Sequence, residues 1–114
     1  MNASELRIGN IIMQGNIPTV VEQIKTSIDD WDRVNNRRAI DCNPIPLTED
    51  WLLEFGFKDI NNKSFRLFKH ANHDIILRIF DGGAISYCEK NEYVLVKSVH
   101  HLQNLYYALT QKEL

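Results

Sequence analysis

The fold is decided by one stretch, Pro44-Ile45-Pro46-Leu47-Thr48-Glu49-Asp50-Trp51-Leu52-Leu53-Glu54-Phe55-Gly56-Phe57, which predicts a short helix with both ends encoded. The two prolines favour an extended entry, because proline fixes its own φ and biases the preceding residue away from helix. Thr48 is the predicted N-cap, and the acidic residues after it suit the positive end of the helix dipole. Gly56 can adopt the left-handed conformation that ends a helix, so Phe57 can fold back. The helix carries several large apolar side chains, and we expect β-sheet to pack against them.

Three β-strands and a loop are predicted before this helix. Apolar residues 6–13 and the β-forming residues 19–25 flank the turn Gln14-Gly15-Asn16, which indicates a hairpin. The polar residues 26–36 are predicted to be a loop, and residues 37–42 a third strand. An apolar strand with an early glycine, a glycine turn and a Val-rich strand is similar to the opening of small SH3-like barrels.

A meander and a second helix are predicted after it. Residues 59–63 are a predicted turn, and four short apolar segments follow at even spacing, which predicts antiparallel strands. Residues 98–109 have the spacing of an amphipathic helix with Ser98 as its cap, and the remaining faces carry His100, Gln103, Asn104 and Tyr107. The predicted class is α+β in a single domain, residues 1–114. The strand segments are residues 64–68, 74–80, 84–88 and 93–96, and the side chains predicted to share one face are Phe65, Leu67, Ile75, Leu77, Ile79, Ile85 and Tyr87.

The composition is that of an ordinary globular protein. Its 114 residues, 44% hydrophobic and 25% charged, can bury one core. The 13 basic and 15 acidic residues give no bulk positive field, which disfavours nucleic acid and anionic membrane as partners. No apolar run approaches the ~20 residues of a membrane span, and the N-terminus lacks the apolar core of a signal peptide. With two widely separated cysteines, Cys42 and Cys88, expected as reduced thiols, these features predict a cytoplasmic protein without a cofactor.

Two further segments share their wording with a known family, together with the proline-flanked stretch. They are Glu5-Leu6-Arg7-Ile8-Gly9-Asn10 and His100-His101-Leu102-Gln103-Asn104-Leu105-Tyr106-Tyr107-Ala108-Leu109-Thr110. The three segments resemble a family of small uncharacterised proteins of Bacteroides-type bacteria, often found in their phages and integrated elements. The resemblance covers nearly the whole chain and implies a bacterial cytoplasmic or prophage context, with no particular reaction. The family usually ends Thr-Gly-Glu-Glu-Leu, whereas Gln111 stands here in place of the glycine that would cap the last helix.

Four histidines are the candidates for enzymatic chemistry. His70 and His73 flank a predicted turn, where their side chains need not converge, and a metal site would need a third ligand. His100 and His101 would point about 100° apart on a helix. His101 lies near the apolar stripe and is predicted to be a buried, hydrogen-bonded histidine. A small hydrolase or metal-dependent enzyme requires three of these side chains, or two with a carboxylate, in one pocket.

Other polar groups favour structural roles. Cys88 with His101 would be a catalytic pair only in an electropositive, partly open site. Asp81-Gly82-Gly83 is predicted to be a hairpin turn, since it lacks the glycine pattern of a phosphate loop. The carboxylates of Asp29, Asp30 and Asp32 lack the ligand spacing of an EF-hand, so we expect a solvated acidic loop.

Trp31 is the candidate anchor for a partner, because aromatic side chains in polar surroundings often dominate interfaces; the alternative is that it folds back onto the N-terminal strands. Arg33, Arg37 and Arg38 follow it as a small basic cluster and complete the set of candidate partner contacts. The preferred hypothesis is a non-enzymatic binding or accessory module of a mobile element that acts by protein–protein interaction. The alternatives are a hydrolase or metal-dependent enzyme using the histidines, and a weak nucleic-acid binder using residues 33–38. The sequence leaves the oligomeric state open.

Overall fold

The computed structural model describes residues 1–25, 32–60, 62, 64–89 and 92–114, with Ile40 described by its backbone only. Within these residues the chain forms two α-helices and three antiparallel sheets, which confirms the α+β class with an N-terminal hairpin and a C-terminal helix. The helices are α1 (Glu49–Glu54) and α2 (Val99–Thr110). The strands are β1 (Ile11–Gln14), β2 (Ile17–Val20), β3 (Ile24–Lys25), β4 (Arg33–Val34), β5 (Arg37–Arg38), β6 (Cys42–Asn43), β7 (Phe57–Asp59), β8 (Arg66–His70), β9 (Ile76–Ile79), β10 (Ile85–Glu89) and β11 (Glu92–Leu95).

Five strands form the main sheet in the order β11-β10-β9-β8-β7, and each neighbouring pair is antiparallel. The predicted meander is therefore present. The predicted turn at residues 59–63 is wrong at its start, because Asp59 is the last residue of β7. Gly56 has a φ of +89°, as its predicted role requires, and it turns the chain so sharply that Phe57 enters the sheet at once.

The two faces of the main sheet carry different side chains. On the inner face, Phe68, Leu77 and Tyr87 lie opposite one another across three strands and are buried. The prediction that Phe65 and Leu67 share a face with Leu77 and Tyr87 is wrong, because side chains alternate along a strand and Phe68 is the residue on that face. Apolar residues occupy both alternating sets in this segment, so the pattern alone does not decide its register. We call the side of the sheet that carries Phe65 and Leu67 the outer face.

Helix α1 packs on the inner side of the main sheet. Thr48 is its N-cap, as predicted, although the Thr48 side chain makes no capping hydrogen bond. Leu52 is fully buried, and Trp51 and Phe55 are half-buried with their ring centroids 5.7 Å apart. This short helix is therefore held by its apolar face, since six residues are too few to be stable alone.

Helix α2 covers the same side of the sheet and is capped by Ser98, whose hydroxyl accepts a hydrogen bond from the His101 backbone. Val99, Leu102 and Tyr106 are buried on the predicted stripe. His100 and Gln103, predicted on the remaining faces of the helix, are buried as well. The N-terminal segment packs there: the Gln103 side chain accepts from the Ile11 backbone at 2.7 Å and donates to the Gly9 carbonyl at 3.2 Å. Gln111 takes the left-handed conformation at the helix end, with a φ of +62°.

The main hydrophobic core lies between the two helices and the inner face. The proline-flanked stretch contributes to this core. Leu47 donates its backbone N–H to the Lys97 carbonyl, and the Ile45 carbonyl accepts from the Val99 N–H. These bonds hold the stretch against the segment that connects β11 to α2. A smaller core cluster supports the N-terminal strands. The main core contains Ile45, Leu47, Leu52, Phe57, Phe68, Ile75, Leu77, Ile85, Tyr87, Val96, Val99, Leu102 and Tyr106, and the smaller one Ala3, Leu6, Ile12, Val21, Val34, Ala39 and Cys42.

The N-terminal strands depart most from the prediction. They form two three-stranded sheets, in the orders β2-β1-β6 and β3-β4-β5. The single strand predicted over residues 19–25 is wrong, since β2 ends at Val20 and β3 joins the other sheet. The strand predicted over residues 37–42 is interrupted by a 3-10 turn, Ala39–Asp41. Because a 3-10 turn has three residues, Ala39 and Cys42 lie on the same side of it, and both are buried. The SH3-like arrangement stays a prediction.

The predicted loop at residues 26–36 is partly replaced by structure. Residues 26–31 lie outside the described residues, and Arg33–Val34 form β4. Asn35 and Asn36 join β4 to β5 with φ values of 51° and 65°. Asparagine tolerates this left-handed region better than most residues, which permits the tight turn.

None of the helices in the described residues is long and apolar enough to cross a membrane.

Candidate functional site

The predicted partner contacts do not form one surface in the described part of the chain. Trp31 lies outside the described residues. Arg33 and Arg38 lie opposite each other in the β4–β5 pair, and Arg37 lies opposite Val34. Because successive strand residues point to opposite faces, Arg37 is on the other side of this hairpin from Arg33 and Arg38. The nucleic-acid alternative requires the three cations to converge, and this geometry divides them.

An aromatic cluster on the outer face of the main sheet is centred on Arg78. The Arg78 guanidinium lies 3.9 Å from the ring centroid of Phe65 and 4.3 Å from that of Phe80. One of its nitrogens donates to the Tyr93 hydroxyl at 3.2 Å. Phe80 and Tyr93 also meet edge to face, with ring centroids 5.7 Å apart. Tyr93 of β11, Phe65 just before β8 and Phe80 just after β9 thus surround one cation, an arrangement that is attractive because the ring face carries negative charge density.

This cluster is exposed although it is built largely from apolar atoms. The exposed fractions are 45% for Phe65 and 52% for Tyr93, and the neighbouring Leu95 is 44% exposed. Neither described core cluster includes a residue of this face. Arg78 in the middle of an otherwise apolar strand is the sequence signal that this face is not part of the core.

The edge of the main sheet beside the outer face is open at β11. Val96 donates its backbone N–H to Ile85 of β10, and backbone groups alternate in direction along an antiparallel strand. Tyr93 and Leu95 therefore direct their backbone N–H and C=O groups away from β10, toward the edge. Among the described residues these outward groups have no partner. Val94 is 48% exposed although it belongs to the inner face, so cover is missing on both sides of this strand.

A second cluster joins His70, His73 and Tyr106 inside the molecule. His70 and His73, which the predicted turn did not require to converge, do lie together, with ring centroids 5.4 Å apart. Tyr106 of α2 connects them, since its ring centroid lies 4.9 Å from that of His70 and its hydroxyl lies 2.5 Å from Nδ1 of His73. Phe57 closes the cluster with an edge-to-face contact on His70. The sequence carried no signal for Tyr106, which is 33 residues from His73.

The surroundings of His70 disfavour the charged form of its ring. Its Nδ1 accepts a hydrogen bond from the Asn72 backbone at 3.2 Å, and it also bonds to the Phe55 backbone. Burial lowers the pKa of His70 below its ordinary value, and the charge of His73 lowers it further, while the bond to Phe55 opposes both. Among the described residues, no three His, Cys, Asp or Glu side chains are grouped to hold a metal ion. The cluster therefore ties α1, β8 and α2 together.

A third group lines a cavity of about 370 Å³ at the start of α2. His100 Nε2 lies 3.3 Å from a carboxylate oxygen of Glu5, and His100 Nδ1 lies 3.3 Å from the Ser98 hydroxyl. The buried histidine is His100 and not the predicted His101, which is half-buried and also lines the cavity. Two imidazoles and a carboxylate thus share one cavity, as the hydrolase alternative requires. The contact of Glu5 with His100 could not be predicted from sequence spacing, because the two residues lie near opposite ends of the chain. Pro44, Pro46, Lys97 and Asn104 complete the lining.

The bonds in this group form one directed chain. The His101 backbone N–H donates to the Ser98 hydroxyl. If His100 Nε2–H donates to Glu5, its Nδ1 accepts from the Ser98 hydroxyl, a tautomer we assign from the partners. Burial lowers the pKa of His100, while the charge of Glu5 and its hydrogen bond oppose that shift. A neutral imidazole between a hydroxyl and a carboxylate can accept a proton, and Ser98 also serves as the helix cap.

The remaining described candidates lie outside these three groups. Cys42 and Cys88 are free thiols. Burial raises the pKa of Cys88, which opposes the thiolate that a nucleophile needs. Asp81-Gly82-Gly83 lies in the turn between β9 and β10, as predicted. Asp29 and Asp30 of the acidic loop lie outside the described residues.

In the three comparisons, no family model, curated protein or solved structure matches this chain.

Proposed function

We propose that this protein is a non-enzymatic binding module that docks a partner protein on the outer face of its main sheet. The wider context we propose is that of an accessory protein of a bacterial mobile element, acting in the cytoplasm, as the family resemblance implies. The observation that carries the docking proposal is the exposed aromatic cluster around Arg78.

The chemistry of this face suits a protein partner. Phe, Tyr and Arg are enriched in the cores of protein interfaces and among the residues that dominate binding energy. The exposed aliphatic side chains Ile60 and Leu95 lie on the same face of the sheet. A contiguous exposed apolar patch of this kind is a marker of an interaction site, whereas single exposed apolar residues are ordinary.

The cluster is also ordered before any partner arrives. Arg78 contacts Phe65, Phe80 and Tyr93 at once, so each ring already has a neighbour that limits its motion. Ordering side chains on binding costs about 0.5–1.5 kcal/mol for each flexible group. A surface that is ordered in advance avoids part of that cost.

Affinity capture with matched variants tests the proposal. The outer-face variant is Phe65→Ala with Tyr93→Ala, and the control is Ile17→Ala with Leu53→Ala, two exposed apolar residues elsewhere on the chain. We expect a protein retained by the wild type and the control to be lost by the outer-face variant. Equal recovery by all three proteins would contradict docking on this face.

The cavity at the start of α2 favours a second candidate function, ester hydrolysis. In that reaction the Ser98 oxygen attacks the ester carbonyl carbon while His100 takes the hydroxyl proton. The proton then leaves with the alcohol, and water hydrolyses the acyl-serine. The observation in its favour is the hydrogen-bonded series from Ser98 through His100 to Glu5. It ranks second because the Ser98 hydroxyl already caps α2 and Ser98 is 7% exposed.

Turnover of p-nitrophenyl acetate tests this second function. Ser98→Asp keeps an oxygen that can cap the helix but removes the nucleophilic hydroxyl, so it separates catalysis from folding. Hydrolysis by the wild type that Ser98→Asp and His100→Gln abolish would establish it. A rate in the wild type equal to that of both folded variants would rule it out.

A further inference from the structure

We propose that the partner's docking segment is an extended strand that adds to the open edge of β11. This inference rests on the proposed function, since it names the kind of segment that the outer face and its edge accept. The inference depends on the direction of the backbone N–H and C=O groups in β11. That direction is fixed by the hydrogen bond from Val96 to Ile85.

The open part of the edge is short and well defined. At residues 97 and 99 the outward backbone groups are used by the chain itself, because Lys97 accepts from Leu47 and Val99 donates to Ile45. That segment leaves the edge when α1 begins at Glu49. The outward groups of Tyr93 and Leu95 come next along the same edge and have no partner in the described residues. A strand placed there would continue the line that residues 45–47 have already begun.

Backbone groups of this kind select an extended chain. A helix or a nucleic acid does not present alternating N–H and C=O groups at the spacing of a strand, whereas an added peptide strand does. Natural edge strands are usually guarded by short length, charged side chains, Pro, a bulge or a covering element. Among the four exposed residues of β11, Glu92 is the one charged side chain and stands at the strand start, so Tyr93, Val94 and Leu95 carry neither a charge nor a proline.

The side chains of β11 define the chemistry of the incoming strand. Its residues on the outer side would meet Tyr93 and Leu95, and its residue on the inner side would meet Val94. Cross-strand pairs between aromatic, aliphatic and β-branched side chains stabilise a sheet. The partner strand therefore carries apolar residues on both of its faces over about three positions.

A second copy of this chain fits the edge less well than a separate strand. If Tyr93 pairs with Leu95 of a second copy, Leu47 of one copy closes the edge beyond one end of the pairing and Leu47 of the other copy closes it beyond the other end. A separate strand meets Leu47 at one end only and can extend past the other end of β11. The occupant we assign is therefore a segment of another protein.

The test uses twelve-residue peptides selected from a random displayed library against the immobilised protein and then synthesised. Amide hydrogen exchange is measured with and without the tightest peptide. We expect the amides of Tyr93 and Leu95 to gain protection on binding, while that of Val94, directed at β10, is already protected in the free protein. A strand that adds to the edge predicts this alternation, which contact with side chains alone would not produce.

Two variants of one residue separate backbone pairing from side-chain contact. Leu95→Pro removes an outward N–H and should weaken peptide binding about tenfold or more, because a lost hydrogen bond adds to a lost apolar contact. Leu95→Thr keeps the N–H, so it should weaken peptide binding severalfold less than Leu95→Pro does. Proline is tolerated at outward-facing edge positions. If Leu95→Pro nevertheless fails to fold, the exchange pattern of the wild type decides alone.

The outcomes distinguish this inference from the function on which it rests. Peptides that lose affinity in Phe65→Ala but leave the Tyr93 and Leu95 amides unprotected would overturn strand addition and keep docking on the outer face. Peptides indifferent to Phe65→Ala, Tyr93→Ala and Leu95→Pro would overturn both. Protection of both amides at rising protein concentration without peptide would assign the edge to a second copy. If the protein retains a twelve-nucleotide oligothymidylate but no peptide, the occupant is a nucleic acid and strand addition is overturned.

Discussion

The inner and outer faces of the main sheet are made by the same five strands, yet they differ in what covers them. Both helices pack on the inner face, and its row of Phe68, Leu77 and Tyr87 is buried. The outer face carries as many aromatic side chains, but neither α1 nor α2 packs on it, and the Arg78 side chain lies over its rings. Apolar content therefore does not tell the two faces apart, and the position of the helices does.

The comparison also separates two kinds of aromatic contact. On the inner face, aromatic rings exclude water from a packed core, and their loss leaves a cavity. On the outer face, rings hold a cation at the surface, where such a contact contributes about 0.5–1 kcal/mol. Substitutions on the inner face should thus report on stability and those on the outer face on binding. Measurements that fail to divide in this way would remove the basis for the proposed function.

The largest expected effect is that of Phe68→Ala on the inner face. Phe68 is 1% exposed, and truncation of a buried phenylalanine destabilises a protein by about 3–5 kcal/mol. Urea unfolding followed by circular dichroism measures the free energy of unfolding. A loss below about 1 kcal/mol would show that Phe68 is not the core residue of β8 and that the assignment of the two faces is reversed.

Local signals in the sequence predicted the covered parts of the fold. Thr48, Gly56 and Ser98 mark helix ends by their own backbone preferences, and the structure has each of them in the predicted place. The meander was predictable for the same reason, because turn residues such as Gly82 and Gly83 separate its strands. These features depend on residues close in sequence, which a single chain displays directly.

Register and convergence were not predictable, because they depend on distant residues. Phe65 and Phe68 are both apolar, and only pairing with β9 decides which of them faces the core. The contacts of Tyr106 with His73 and of Glu5 with His100 join residues far apart in the chain. The outer-face site was missed for the same reason, although Arg78 within an apolar strand was a usable signal.

A smaller effect is expected where α2 begins to cover the inner face. Ser98→Ala should destabilise the protein by about 1 kcal/mol, because the Ser98 hydroxyl satisfies a backbone N–H of the first helical turn. Thr48→Ala is the matched control and should cost less, since Thr48 caps α1 without a side-chain hydrogen bond. Thermal unfolding of both variants beside the wild type provides the comparison. Equal losses in the two would show that the Ser98 bond contributes nothing.

The inner face should also make stability depend on pH. The pKa of His70 is lowered in the folded state, so the unfolded chain binds a proton first as the pH falls below about 6.5. The stabilisation is complete above that pH and is lost as the pH falls toward the folded pKa. The free energy of unfolding should be smaller at pH 5 than at pH 7.5, and this difference should shrink in His70→Gln. His100 has a pKa shift of the same sign and should leave a residual slope. A steeper slope in His70→Gln than in the wild type would contradict the assignment.

The smallest expected effect on stability is that of Phe65→Ala on the outer face. Phe65 lies just before the strand that carries Phe68 but is 45% exposed, and its ring contacts the Arg78 guanidinium. Its truncation should cost at most about 1 kcal/mol, the value of an exposed cation–π contact, while the partner is lost in affinity capture. A substitution that weakens partner binding but hardly changes stability identifies an interface residue. The loss of binding relative to the loss of stability, compared between Phe65→Ala and Phe68→Ala, is therefore the sharpest measure of the difference between the faces. A stability loss in Phe65→Ala as large as in Phe68→Ala would mean that the outer face is covered in solution by the chain itself.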